Sequence, residues 1–209
     1  MNLHQATKLD TGLEDVSITR IKAFNDNEIL IATDGAGVYK MNAETYKCEP
    51  YIIADYNSYN GMNGNSIYDI FVDGDRIWMA NYPIGITVRN NQYTSYQWIK
   101  HSVGNKQSLI NNQVNAIVED HDGDLWFATN NGISLYRSKT KQWHSFLSVF
   151  DDVNLTKNHV FISLCEVSPG IIWAGGYSSG IYLIDKNRMK AEFFTPSTFS
   201  GSNIRPDKY

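Results

Sequence analysis

Three observations predict an all-β chain: an apolar motif recurs four times, a hairpin signal accompanies each copy, and no helical stripe appears. The predicted architecture is a β-propeller of four four-stranded antiparallel blades, forming part of a larger or open ring. The motif copies are residues 29–33 (ILIAT), 77–81 (IWMAN), 125–129 (LWFAT) and 171–175 (IIWAG). Their second residues, Leu30, Trp78, Trp126 and Ile172, are spaced by 48, 48 and 46 residues. Propeller blades repeat roughly every 40–50 residues.

Each repeat divides into four runs. The first runs (18–24, 67–72, 114–119, 160–166) end at polar turns, of which Asp73-Gly74-Asp75 and Asp122-Gly123-Asp124 are the clearest. The motif is the second run. The third starts at Gly37, Gly85, Gly132 and Gly180, after a short polar turn. The fourth covers 45–53, 92–99, 142–147 and 191–195. The blades are accordingly expected at about 14–55, 65–100, 112–148 and 158–196, with partial blades at 1–13 and 199–209. The first strand of each blade should line the axis with both faces covered. The second should be sandwiched between neighbouring blades, its large residue filling the gap. The alanine two residues on (Ala32, Ala80, Ala128, Ala174) is expected to serve the opposite face, where close approach needs a small side chain.

The third copy, Asp122-Gly123-Asp124-Leu125-Trp126-Phe127-Ala128-Thr129-Asn130-Asn131-Gly132-Ile133, resembles the two-component regulator propeller repeat. So does its lead-in, Ser108-Leu109-Ile110-Asn111-Asn112-Gln113-Val114, which recurs as 155–160 (LTKNHV) and 65–67 (NSI). The first copy departs from the pattern, with Leu30 for Trp, Asp26-Asn27 for Asp-Gly and Val16 for the lead-in Asn. The fourth is read as Ile172 for Trp and Gly175 for Thr. In proteins with this repeat the propellers lie in the periplasm. They precede a β-domain, a membrane helix, a histidine kinase and response-regulator parts. The resemblance implies a non-catalytic sensor segment of a hybrid two-component system. Its expected roles are recognition of a polysaccharide-derived signal or sensor dimerisation. The alternatives are a propeller lyase or glycosidase, and a pure protein-interaction scaffold.

Composition narrows the partners. The 209 residues carry 18 basic and 22 acidic groups, a formal charge of −4. No basic surplus exists to neutralise a phosphate backbone, so no nucleic acid is expected. No run approaches 18 apolar residues and the N-terminus lacks a charged, then apolar, leader, so neither a membrane span nor a signal peptide is expected within the chain. Direct membrane insertion is therefore not expected. The expected partners are an oligosaccharide, other parts of the parent sensor, and a second copy meeting the open end blades.

Reactive chemistry finds little support. Asp120-His121-Asp122-Gly123-Asp124 invites a calcium reading, but an EF-hand loop needs Gly sixth and Glu twelfth, and those positions hold Leu125 and Asn131. A solvated turn is the better reading. No pair among His4, His101, His121, His144 and His159 has zinc-site spacing. Cys48 and Cys165 fall in different repeat phases, on an outer and an inner strand, and are expected to be unpaired, partly buried thiols. Neither a metal nor a cofactor is expected. Trp78 and Trp126 are in the core phase, and Trp98 and Trp143 lie on outer strands. The residues best placed to bind a ligand follow the second run: Asp34, Asn81, Tyr82, Asn130, Asn131, Tyr177 and Ser178. These turns share one end with the long connections 55–64, 101–111 and 150–157.

Overall fold

A computed structural model describes residues 11–55, 61–147 and 159–194. These form sixteen strands in four antiparallel sheets, with no helix among the described residues. The chain divides into two compact units, Met1–Ile99 and Lys100–Tyr209. In the first unit, β1 (Ser17–Ala23), β2 (Glu28–Asp34), β3 (Val38–Asn42) and β4 (Cys48–Ile52) form one sheet. Strands β5 (Ile67–Asp73), β6 (Arg76–Asn81), β7 (Gly85–Asn90) and β8 (Ser95–Ile99) form the next. In the second unit, β9 (Val114–Glu119), β10 (Leu125–Thr129), β11 (Gly132–Arg137) and β12 (Gln142–Phe146) form the third. The fourth comprises β13 (Phe161–Ser168), β14 (Ile171–Gly176), β15 (Gly180–Asp185) and β16 (Lys190–Phe193). Every sheet is a meander in chain order, the topology of a propeller blade. The partial blade expected at 199–209, and residues 1–10 of the one expected at 1–13, lie outside the described residues.

Each unit is held by one apolar layer between its two blades. In the first, Leu30, Ala32, Val38 and Ile52 pack with Ile67, Ile70, Ile77 and Met79. In the second, Trp126, Ala128, Ile133, Leu135 and Phe146 pack with Phe161, Ile172, Ala174, Tyr182 and Ile184. This corrects the expected role of the alanines. Strand side chains alternate with a period of two, so Ala32 shares a face with Leu30, and Ala128 with Trp126. Large and small residues sit side by side on one packed surface.

The register of the fourth blade also differs from the sequence reading. Thr129 pairs with Val114 and Gly132, and Asn81 with Ile67 and Gly85. The equivalent residue in the fourth blade is Gly176, which pairs with Phe161 and Gly180. Trp173 is therefore the counterpart of Trp126, and Ile172 faces the third blade instead. Gly175 replaces Ala128, not Thr129, and a Cβ there would collide with Ser163 Oγ.

The lead-in shifts in the same way. Asn65 Oδ1 accepts from Ala54 N (2.7 Å), and Asn112 Oδ1 from His101 N (2.6 Å), pinning the chain as it leaves an outer strand. In the fourth blade this place belongs to His159, whose Nδ1 lies 2.8 Å from Leu147 O. In the lead-in pattern of 155–160 (LTKNHV) that place falls on Asn158, which lies outside the described residues. The main chain of the same lead-in residues joins neighbouring blades. Asn65 O accepts from Gly37 N (2.8 Å), and His159 O from Gly132 N (2.9 Å).

Not every inner strand is covered. β5 and β9 consist mostly of buried and half-buried residues, but all seven residues of β1 are exposed. Ile18 is 48% and Ile21 58% exposed, and on β13 Ile162 is 51% exposed. The expectation that both faces of every first strand are covered fails at β1 and β13. Cys48 opens β4 and Cys165 lies in β13; both are free thiols, and Cys165 is exposed, not partly buried.

Candidate functional site

In three of the blades the turn after the second strand docks on the start of the same blade's first strand through one recurring main-chain bond. Tyr82 N donates to Ser66 O (2.9 Å), Asn130 N to Gln113 O (3.0 Å) and Tyr177 N to Val160 O (2.8 Å). The residue at this place therefore carries its side chain beside the second residue of the inner strand.

In the first unit that juxtaposition assembles a cluster. Tyr82 stacks on Tyr68 of β5 with ring centroids 4.5 Å apart and planes only 5° from parallel. Both rings are half-buried, and the Tyr82–Pro83 peptide is cis. Asp34, exposed at the end of β2, is close enough for its charge to act on Tyr68. Burial, then the Asp34 charge, then Tyr82, push the Tyr68 phenol above the ordinary tyrosine range. Tyr68 thus stays a hydrogen-bond donor across neutral pH. Asn81 is fully buried behind this cluster; its Nδ2 donates to Gly64 O (3.2 Å) and Thr87 Oγ1 (3.3 Å). It shapes the turn from inside.

In the second unit the same position is structural. Asn115, the counterpart of Tyr68, donates through Nδ2 to Asn130 Oδ1 (2.8 Å) and to Phe161 O (2.7 Å). Thr19 does the same in the first blade, donating to Ile67 O. Asn130 is thereby committed to holding Asn115, which joins the third blade to the fourth. Asn131 N donates to Thr129 Oγ1 (3.1 Å). Tyr177 and Ser178 are exposed, and Ser178 adopts a φ of 58°. Of the seven sequence candidates, Asp34 and Tyr82 converge, with Asn81 beneath them. Tyr68 and Asn115 are not among the seven, although their shared place one residue into the inner strand is a signal the sequence carries.

The acidic turn of the third blade has an internal cation. Lys186 Nζ lies 2.6 Å from Asp120 Oδ2, 2.8 Å from Asp122 Oδ2 and 2.8 Å from Asp124 Oδ2. Asp120 Oδ2 also accepts from Trp126 Nε1 (2.8 Å), while Asp120 Oδ1 accepts from the main-chain nitrogens of Asp122 and Asp124. The turn is no simple solvated loop: Lys186, Asp120 and Asp124 form a buried ion cluster, with Asp122 at its exposed rim, that ties the end of β15 to the end of β9.

A profile of the two-component regulator propeller family matches residues 108–131, from the lead-in serine to the turn after β10. Residues 108–131 thus carry one two-component regulator propeller repeat. No curated protein matches it. Among solved structures, the propeller is similar to the extracellular domain assigned to hybrid two-component system BT3049 of B. thetaiotaomicron. That match has a TM-score of 0.72 at 19% identity, covering 86% of this chain and 25% of that one. A second, the extracellular domain assigned to hybrid two-component system BT4673 of the same organism, gives 0.66 at 19% identity, covering 85% and 23%. The propeller thus spans about a quarter of these relatives. RRP9 WD40 repeats are also similar, with a TM-score of 0.61 at 13% identity over 87% of this chain and 52% of that one. Likeness of fold across such different proteins carries no function by itself.

Proposed function

We propose that the chain is a non-catalytic, periplasmic sensor segment of a hybrid two-component system, and that it recognises a polysaccharide-derived signal. The observation that carries this reading is the convergence of Asp34, Tyr68 and Tyr82. Stacked aromatic rings offer apolar faces to sugar C–H groups, a phenol donates, and a carboxylate accepts from hydroxyls. The likeness to extracellular domains assigned to hybrid two-component systems supports the setting. A thermal-shift screen of neutral and acidic oligosaccharides tests it. A glycan at a hundred times its Kd adds about 2.7 kcal/mol of stability. Tyr82→Ala should abolish that gain. Silence across the panel, or a gain untouched by Tyr82→Ala, defeats the reading.

A second reading is association through the exposed inner-strand residues, with another copy or with other parts of the parent sensor. It is favoured by Ile18 and Ile21 on β1 and Ile162 on β13. Sedimentation of the wild type against Ile21→Lys separates it: an unchanged oligomeric state removes β1 from consideration.

A further inference from the structure

The connection that enters the third blade is built more tightly than a linker requires. Ser108 Oγ accepts from Ser102 N (3.1 Å) and donates to Asn105 O (2.8 Å). Asn105 Oδ1 accepts from Gln107 N (2.9 Å). His101 Nδ1 lies 2.8 Å from Leu109 O. A carbonyl can only accept, so Nδ1 carries the proton and a neutral His101 presents Nε2 as an acceptor. Gln107 then clasps the outer strand: its Oε1 accepts from Trp143 N (3.0 Å) and its Nε2 donates to Trp143 O (3.3 Å). A single side chain supplies the pair of bonds that an adjacent strand would make.

Between this loop and β12 lies a cavity of about 560 Å³, lined among others by His101, Asn105, Lys106, Trp143 and His144. That size falls in the range of small-molecule sites. Its lining includes no carboxylate, although acidic groups outnumber basic ones 22 to 18 in the chain. The titratable side chains around it are one lysine and two histidines. A preorganised loop that brings one lysine and side-chain amides beside Trp143, with no carboxylate in the lining, suits an anion.

We propose that this cavity binds a small hydroxyl-bearing carboxylate of sugar-acid size. The anionic part of this assignment stands on the lining; the sugar part rests on the sensor reading above. The test is a titration of the ¹⁵N-labelled chain with digalacturonate, with cellobiose as the neutral comparator and sodium sulfate as the bare anion. Digalacturonate should shift the amides of 101–110 and 143–145, with cellobiose inert there. Lys106→Ala should weaken binding about tenfold without moving Tm. Equal shifts from cellobiose, sulfate binding without digalacturonate binding, no response at these amides, or an unchanged affinity in Lys106→Ala would each overturn the proposal. The two sites are distinguishable: digalacturonate shifts at 101–110 with no glycan acting through Tyr82 uphold this cavity and defeat the Tyr68–Tyr82 site.

Discussion

Lys186 and Asp120 form an ion pair from which water is excluded, the lysine side chain 1% exposed and the aspartate 0%. They stand in adjacent blades of one unit, 66 residues apart in the chain. Removing one member of a buried pair leaves the other charge uncompensated, at a cost of about 3–5 kcal/mol. Lys186→Met should lower stability by that amount in urea unfolding. A loss below 1 kcal/mol would show that Trp126 Nε1 and the turn amides suffice to hold Asp120.

The same pair predicts an alkaline dependence. Burial pulls the Lys186 ammonium down, and its bonds to Asp120, Asp122 and Asp124 more than reverse this, so it titrates above an ordinary lysine. Its contribution is therefore fully present below the unfolded value of about 10.4 and is lost as pH rises through the folded one. The stability difference between wild type and Lys186→Met should be flat from pH 7 to 10 and shrink above that. A difference that grows with pH contradicts the sign.

Gln107 predicts a local effect. Its two bonds cover the free edge of β12 at Trp143. Each is worth about 1 kcal/mol. Gln107→Ala should speed hydrogen exchange at the Trp143 amide by about tenfold or more. Gln107→Glu, which keeps the acceptor, should fall between. Equal protection in all three proteins would remove the edge-covering role.

The architecture was legible because spacing, turn residues and β-branched runs all report the same hairpin meander. What failed was fine register. The fourth repeat contains Ile171-Ile172-Trp173, three large apolar residues in a row, and only the pairing of Gly176 with Phe161 and Gly180 decides which one occupies the tryptophan place. Asp34 and Tyr82 were visible as departures from the repeat. Tyr68 was not, because its inner strand reads as an ordinary apolar run and its role depends on a turn 14 residues later. Lys186 was invisible for a similar reason: its three partners sit in the preceding repeat.

The Tyr68 phenol offers a direct probe of the first-unit cluster. Burial is the main cause of its raised pKa, with the Asp34 charge second. Asp34→Asn should let Tyr68 ionise at lower pH than in the wild type, yet still above an ordinary tyrosine, because burial persists. A ¹³Cζ titration resolves the two proteins. Superimposable curves would mean that Asp34 does not act on this ring.

Two glycines in one turn separate backbone strain from crowding. Gly35 and Gly37 both have positive φ, 100° and 82°. A Cβ on Gly35 would meet nothing within 4 Å, whereas one on Gly37 would lie 2.6 Å from Ile52 O and 2.8 Å from Ile53 Cδ1. Gly35→Ala should therefore cost only the conformational penalty, about 1–2 kcal/mol. Gly37→Ala adds a clash with main chain that cannot swing aside, a further ~1–3 kcal/mol, and strains the bond from Gly37 N to Asn65 O that joins the first blade to the second. Chemical denaturation of the two variants should rank Gly37→Ala clearly the less stable. Equal losses would mean that β4 yields to the new methyl group, and that the glycine is kept for its dihedral angle alone.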